Sequence, residues 1–153
     1  MTALEARIEL VGADNATRSV AIGDFHRLPG DTPHIETVLR PGEMITGVTL
    51  PPPPGRQIYR KVRDRASYES AVVAAERGTI RSARVAFGGV AHRPWRAIEA
   101  EAQLAGRPAT MITFREAAEA AMADAVGRGH NDFKIELAKR TLCRTLAEAT
   151  REG

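Results

Sequence analysis

The chain has 153 residues, 43% hydrophobic and 5% aromatic, with a formal net charge of +3. That length suits one domain, or one domain with a short annex, around a core built mostly from Ala, Val, Ile and Leu. The arginines are scattered among nearly as many acids, with no block of like charge to suggest a nucleic-acid surface. The single cysteine, Cys143, excludes an internal disulfide. No run approaches the ~18 apolar residues of a membrane span. Met1-Thr2-Ala3-Leu4-Glu5 lacks the basic and apolar regions of a signal peptide. The expectation is a cytoplasmic protein, periplasmic only if a partner carries it.

The first elements read as strands. Alternation over Ala6-Arg7-Ile8-Glu9-Leu10-Val11, a turn at Gly12-Ala13-Asp14-Asn15 and the run Arg18–Ile22 predict a hairpin. Phe25 to Pro33 is expected to be a loop, punctuated by Pro29, Gly30 and Pro33. Met44 to Leu50 reads as a strand, ended by four prolines at 51–54 that read as a stiff connector, with a recognition motif for an aromatic groove as the alternative. Two more strands are predicted over Tyr68–Glu76 and Thr79–Val90, with Arg77-Gly78 as the turn between them.

The last third is predicted to be helical. Trp95–Leu104 ends at the stop signal Gly106-Arg107-Pro108. Thr113-Phe114-Arg115-Glu116 reads as a capping box that opens an Ala-rich helix running to about Val126. A final helix is expected from about Asn131 to Glu148. Ile135, Leu142 and Leu146 form its apolar face, with Phe133 and Leu137 adjoining. Strands first and helices after predict an α+β fold. Its main body is a small antiparallel sheet of about three strands packed against a three-helix layer, with an N-terminal β-hairpin annex.

Residue chemistry alone gives one candidate site. His26, His34, His92 and His130 are isolated, so no metal site is expected, and no phosphate-binding glycine loop or nucleophile elbow occurs. The segment Tyr59-Arg60-Lys61-Val62-Arg63-Asp64-Arg65-Ala66-Ser67-Tyr68 gathers four cations, two phenols and a hydroxyl beside a strand. Such a set suits an electron-rich or phosphate-bearing ligand; a solvated basic loop is the alternative.

Longer motifs carry a resemblance. Asp24-Phe25-His26-Arg27-Leu28-Pro29-Gly30-Asp31-Thr32-Pro33, Leu39-Arg40-Pro41-Gly42-Glu43-Met44-Ile45-Thr46, Gly88 to Arg96 and Gly129 to Arg140 follow one another along the chain. In that order they resemble the C-terminal part of the FAD-binding (medium) subunit of molybdenum hydroxylases. This is the xanthine dehydrogenase, aldehyde oxidoreductase and CO dehydrogenase flavoprotein family. Within the resemblance, residues 1–35 match the end of an FAD-binding domain and residues 36–153 the C-terminal domain.

The resemblance implies a component of a flavin-dependent oxidoreductase complex. FAD there carries electrons from iron–sulfur clusters to an acceptor. It implies a molybdenum-cofactor subunit and a [2Fe–2S] subunit as partners, or a separate FAD domain, and it admits a homodimer. It places Tyr59, Lys61, Arg65, Ser67 and Tyr68 at one wall of the flavin site, with the rest of that site on the larger FAD-binding domain. The alternative is an interaction or dimerisation module that binds no flavin. One departure from the family pattern, a short Val72–Ile80 turn region, leads to the expectation of a truncated strand and an exposed edge there.

Overall fold

The computed structural model describes residues 1–62, 67–76 and 78–151, with the backbone alone for 62 and 67–76. The fold is α+β, as the element order predicts, and contains two antiparallel sheets and a helical layer.

The first sheet grows from the N-terminal hairpin. Strands β1 (Arg7–Val11) and β2 (Thr17–Ala21) pair in register, Ile8 opposite Val20. Strand β3 (Met44–Thr49) joins the other edge of β1, so the order is β2-β1-β3 and the annex is a three-stranded sheet. Alternation sends Ile8 and Leu10 inward, where they form a small core with Ala6, Ile22 and Phe25. Ile22–Phe25 is a single helical turn, α1, where a loop was expected to begin.

Arg18 crosses this sheet's loop side and holds Glu43 with two bonds, both 2.7 Å. The Arg40 amide donates to the same carboxylate at 2.7 Å. Hydrogen bonding from Arg18, then from the Arg40 backbone, pulls the Glu43 pKa down to about 2. A carboxyl depressed in the folded state stabilises the fold above its unfolded pKa and loses that contribution as pH falls toward about 2. Glu43→Gln should therefore melt below the wild type at neutral pH. The gap should close as pH drops from about 5 toward 2, as melting curves across that range would show.

The exposed prolines at 51–54 lead into the second sheet. Its strands are β4 (Arg56–Val62), β5 (Ser67–Glu76), β6 (Thr79–Gly88) and β7 (Trp95–Arg96), in sequence order. Four strands thus stand where about three were expected. Of the basic segment 59–68, residues 59–62 belong to β4 and 67–68 to β5, while 63–66 lie outside the described residues, and Trp95–Arg96 is a short edge strand rather than the start of a helix. The expected truncation at the β5–β6 turn is absent. Both strands are ten residues long and pair through Glu76–Thr79, with Gly78 at φ 73° in the turn. Strand β5 is flanked on both sides, so the sheet's edges are β4 and β7.

Helices α2 (Ile98–Leu104), α3 (Met111–Ala121) and α4 (Phe133–Ala149) form the predicted three-helix layer. Helix α2 packs on β6, α4 packs on β4 and β5, and α3 lies against both helices. The main core joins Ile80, Val85 and Phe87 of β6 with Leu104, Phe114, Leu142 and Leu146. Ala117, Ala118 and Ala121 let α3 approach closely.

Two helix details depart from expectation. The α3 cap is Thr110, whose Oγ1 accepts from the Thr113 amide at 3.4 Å. Thr113 is buried within the helix, and Glu116 pairs with Arg107 at 2.6 Å instead of closing a capping box. Helix α3 also ends at Ala121, short of Val126. On α4, Leu142 and Leu146 are fully buried as expected, whereas Phe133 at the helix start is 49% exposed.

Candidate functional site: an open sheet face beside the N-terminal turn

The helices cover one face of the second sheet, and alternation along β4 separates the two faces. Ile58 packs on the main core, and Arg60 reaches the Glu148 carboxylate of α4. Arg56 donates to the Arg151 carbonyl at 2.9 Å, beyond the end of α4. Gln57, Tyr59 and Lys61 therefore lie on the opposite face.

Strand register builds that face. One cross-strand row runs Tyr59, Ser70, Ala86, Arg96 across all four strands. The next row runs Lys61, Tyr68, Gly88. Tyr59 and Lys61 are about 7 Å apart along β4, two residues of strand rise. Of the five residues singled out in the sequence, Tyr59, Lys61 and Tyr68 thus fall in adjacent rows. Ser67 stands opposite Val62, one residue out of phase with the Lys61–Tyr68 pair. Arg65 lies outside the described residues.

The N-terminus bounds the site. Residues Thr2–Leu4 form a 3-10 turn that packs on β5, β6 and β7, with Ala3 buried against Ala86. Glu5 follows in a left-handed conformation, φ 54°, and turns the chain into β1. Its carboxylate meets Arg84 at 3.0 Å and Arg96 at 3.3 Å. Arg96 is held from the other side by a two-pronged pair with Glu101 of α2, the Nη2–Oε2 bond being 2.9 Å. Glu101 also accepts from the Val85 amide at 2.8 Å. The Glu101 hydrogen bond, ahead of the weaker one to Glu5, raises the Arg96 pKa further above its ordinary value. One guanidinium thereby ties β7, α2 and the N-terminal turn together. The sequence reading did not single out this cluster; the spacing of Arg96 and Glu101 is not one that places two residues on one helix face.

The turn covers the β6 and β7 part of the face, while Tyr59 on β4 stays 65% exposed. An exposed phenol ring beside a lysine offers a planar stacking surface and a positive charge. Among the described residues, no three of His, Cys, Asp or Glu gather closely enough to hold a metal ion.

Residues 56–149 match the family model for the CO dehydrogenase flavoprotein C-terminal domain. The chain is 51% identical over 153 residues to the aldehyde oxidoreductase FAD-binding subunit PaoB of Escherichia coli K12, covering 97% of this chain and 46% of that protein. It is 34% identical over 113 residues to the glyceraldehyde dehydrogenase medium chain of Sulfolobus acidocaldarius, covering 70% of this chain and 38% of that one. Among solved structures, quinoline 2-oxidoreductase from Pseudomonas putida 86 superposes with a TM-score of 0.82 at 26% identity. Carbon monoxide dehydrogenase from Hydrogenophaga pseudoflava gives 0.82 at 27%. Each superposition covers 97% of this chain and 53% of the other, so the chain spans about half the length of the proteins it matches. The chain belongs to the CO dehydrogenase flavoprotein C-terminal domain family.

Proposed function

We propose that this chain supplies the C-terminal part of the FAD-binding subunit of a molybdenum hydroxylase of the xanthine dehydrogenase and aldehyde oxidoreductase type. Residues 1–35 would be the end of a flavin-binding domain, with the remainder as the C-terminal domain. The open face of the second sheet is one wall of the flavin site. The carrying observation is the juxtaposition of Tyr59, Lys61 and Tyr68 in adjacent rows next to the buried N-terminal turn. The 51% identity to a subunit named as FAD-binding supports the same reading.

FAD, when bound, supplies the electron-transfer chemistry of such a complex. The residues of this chain orient and exclude. Tyr59 presents its ring to a planar group, and Lys61 offers a positive charge to an electron-rich edge. Arg96 and Glu5 hold the N-terminal turn against the sheet, which fixes the border of the wall. Arg65 and Ser67 are proposed for the same flavin site, Arg65 lying outside the described residues and Ser67 one residue out of phase with this face. The molybdenum-cofactor and [2Fe–2S] subunits are the proposed partners, in the cytoplasm unless one of them carries the complex elsewhere. No helix among the described residues is long and apolar enough to cross a membrane. The test is the flavin content of the complex isolated through this chain, with and without the Tyr59 and Lys61 side chains.

A further inference from the structure

A second concave surface lies on the helical side of the molecule, away from the sheet face just described. Helices α3 and α4 flank a groove of about 350 Å³. Its apolar floor includes Met111, Ala118 and Cys143. Its walls carry Arg115 from α3 and Arg140 and Arg144 from α4.

The charge balance of this groove is incomplete. Its two acids, Glu119 and Glu136, are both engaged by Lys139, at 2.6 and 3.4 Å. Hydrogen bonding to Glu119, then to Glu136, raises the Lys139 pKa and keeps that amine charged. Among the described residues, Arg115, Arg140 and Arg144 make no ion pair, and all three are exposed. Arg140 and Arg144 stand one turn apart on the same face of α4, a like-charge spacing that mildly repels. Two helices thus present three guanidinium forks, unmatched among the described residues, around an apolar floor.

We propose that the α3/α4 groove docks an acidic amphipathic helix from a separate polypeptide. One apolar side chain of that helix rests on Met111, Ala118 and Cys143, and its carboxylates bind Arg115, Arg140 and Arg144. Two features select this occupant. A bare anion would gain nothing from the apolar floor, whereas a helix with one apolar and one acidic stripe satisfies floor and walls together. The one-turn spacing of Arg140 and Arg144 matches carboxylates placed four residues apart on a facing helix, and guanidinium groups take carboxylates in bidentate geometry. The inference stands independently of flavin binding, since it uses none of the sheet-face residues.

The test uses the full chain and a fluorescently labelled helical peptide with glutamates four residues apart and leucines on the adjoining stripe. Fluorescence anisotropy should show saturable binding that weakens as salt is raised. R140E/R144E should weaken it about tenfold or more, and R140K/R144K should lose less, because charge is kept while the fork is lost. An unchanged melting temperature for both variants confirms that they fold. Equal binding of the wild type and R140E/R144E overturns the proposal. So does equal binding of a peptide of the same composition in scrambled order, or full displacement by inorganic phosphate at matched ionic strength. If the wild type self-associates, R140E/R144E abolishes that association and no peptide binds, the groove is a contact between copies and the proposal also fails.

Discussion

Leu142→Ala is expected to cost the fold about 3–4 kcal/mol. Leu142 lies in the middle of α4 with no accessible surface, in the cluster that joins α3, α4 and the second sheet. Deleting its side chain removes the transfer free energy of three carbons and leaves a cavity. The same cluster contains Ala117, Ala118 and Ala121, whose side chains are too short to swing into the space. Measured Leu→Ala losses span roughly 2.7–5 kcal/mol, and a site that collapses only partly sits near the middle of that range. For a domain of ordinary stability this is about a third of the total. Calorimetry or urea unfolding should show a fall in melting temperature of about 10 °C. Leu142→Met, which conserves volume, should cost less than about 1.5 kcal/mol. Equal losses for the two variants would show that the α4–sheet contact is not packed as described.

The second large effect is at Arg96. Arg96→Ala should destabilise the protein by about 2–3 kcal/mol, although the position is at a sheet edge. The reason is what it leaves behind. Glu101 has a side chain only 14% exposed and would keep a single described donor, the Val85 amide. An under-compensated, half-buried carboxylate is more costly than the loss of an exposed ion pair, which is worth about 0–1 kcal/mol. The variant also frees Glu5 from one of its two arginines, so the N-terminal turn should open ahead of global unfolding. Hydrogen exchange should show loss of protection at Ala6, whose amide donates to the Met1 carbonyl, before loss in the α4 core. Glu101→Gln, which removes the charge and keeps the shape, should recover part of the stability when combined with Arg96→Ala. A double variant as unstable as the single one would contradict this account.

Sequence patterns identified elements whose hydrophobic period was undisturbed. A stretch rich in Val and Ala marked β5, and Leu142 and Leu146 marked the buried face of α4. Strand β4 escaped notice because Arg56 and Arg60 occupy its helix-facing positions. They are tolerated there by the Arg151 carbonyl and the Glu148 carboxylate, partners that only tertiary structure brings near. The α3 cap was misplaced by one turn. Thr113-Phe114-Arg115-Glu116 has the capping-box pattern, but Met111 and Ile112 are exposed apolar residues of the first turn and Thr110 is the cap.

The candidate site was legible in part. Tyr59, Lys61 and Tyr68 were found as a composition cluster, but only strand register shows that they share adjacent rows. The border of the site came from residues far away in sequence, Thr2–Glu5 packing on β6 and Arg96, which no local pattern announces. The three groove arginines were hidden for the same reason, being divided between two helices.

We propose that the β4/β5 face forms one wall of a flavin site within a larger assembly. The direct measurement is flavin released per chain from the complex purified through a tag on this protein. Purification should include a gel-filtration step that strips loosely held cofactor. About one FAD per chain is expected for the wild type. Tyr59→Ala combined with Lys61→Ala should lose roughly tenfold or more of it, with the assembly otherwise intact. A flavin-free wild-type complex, or a double variant that keeps its full flavin complement, would contradict it.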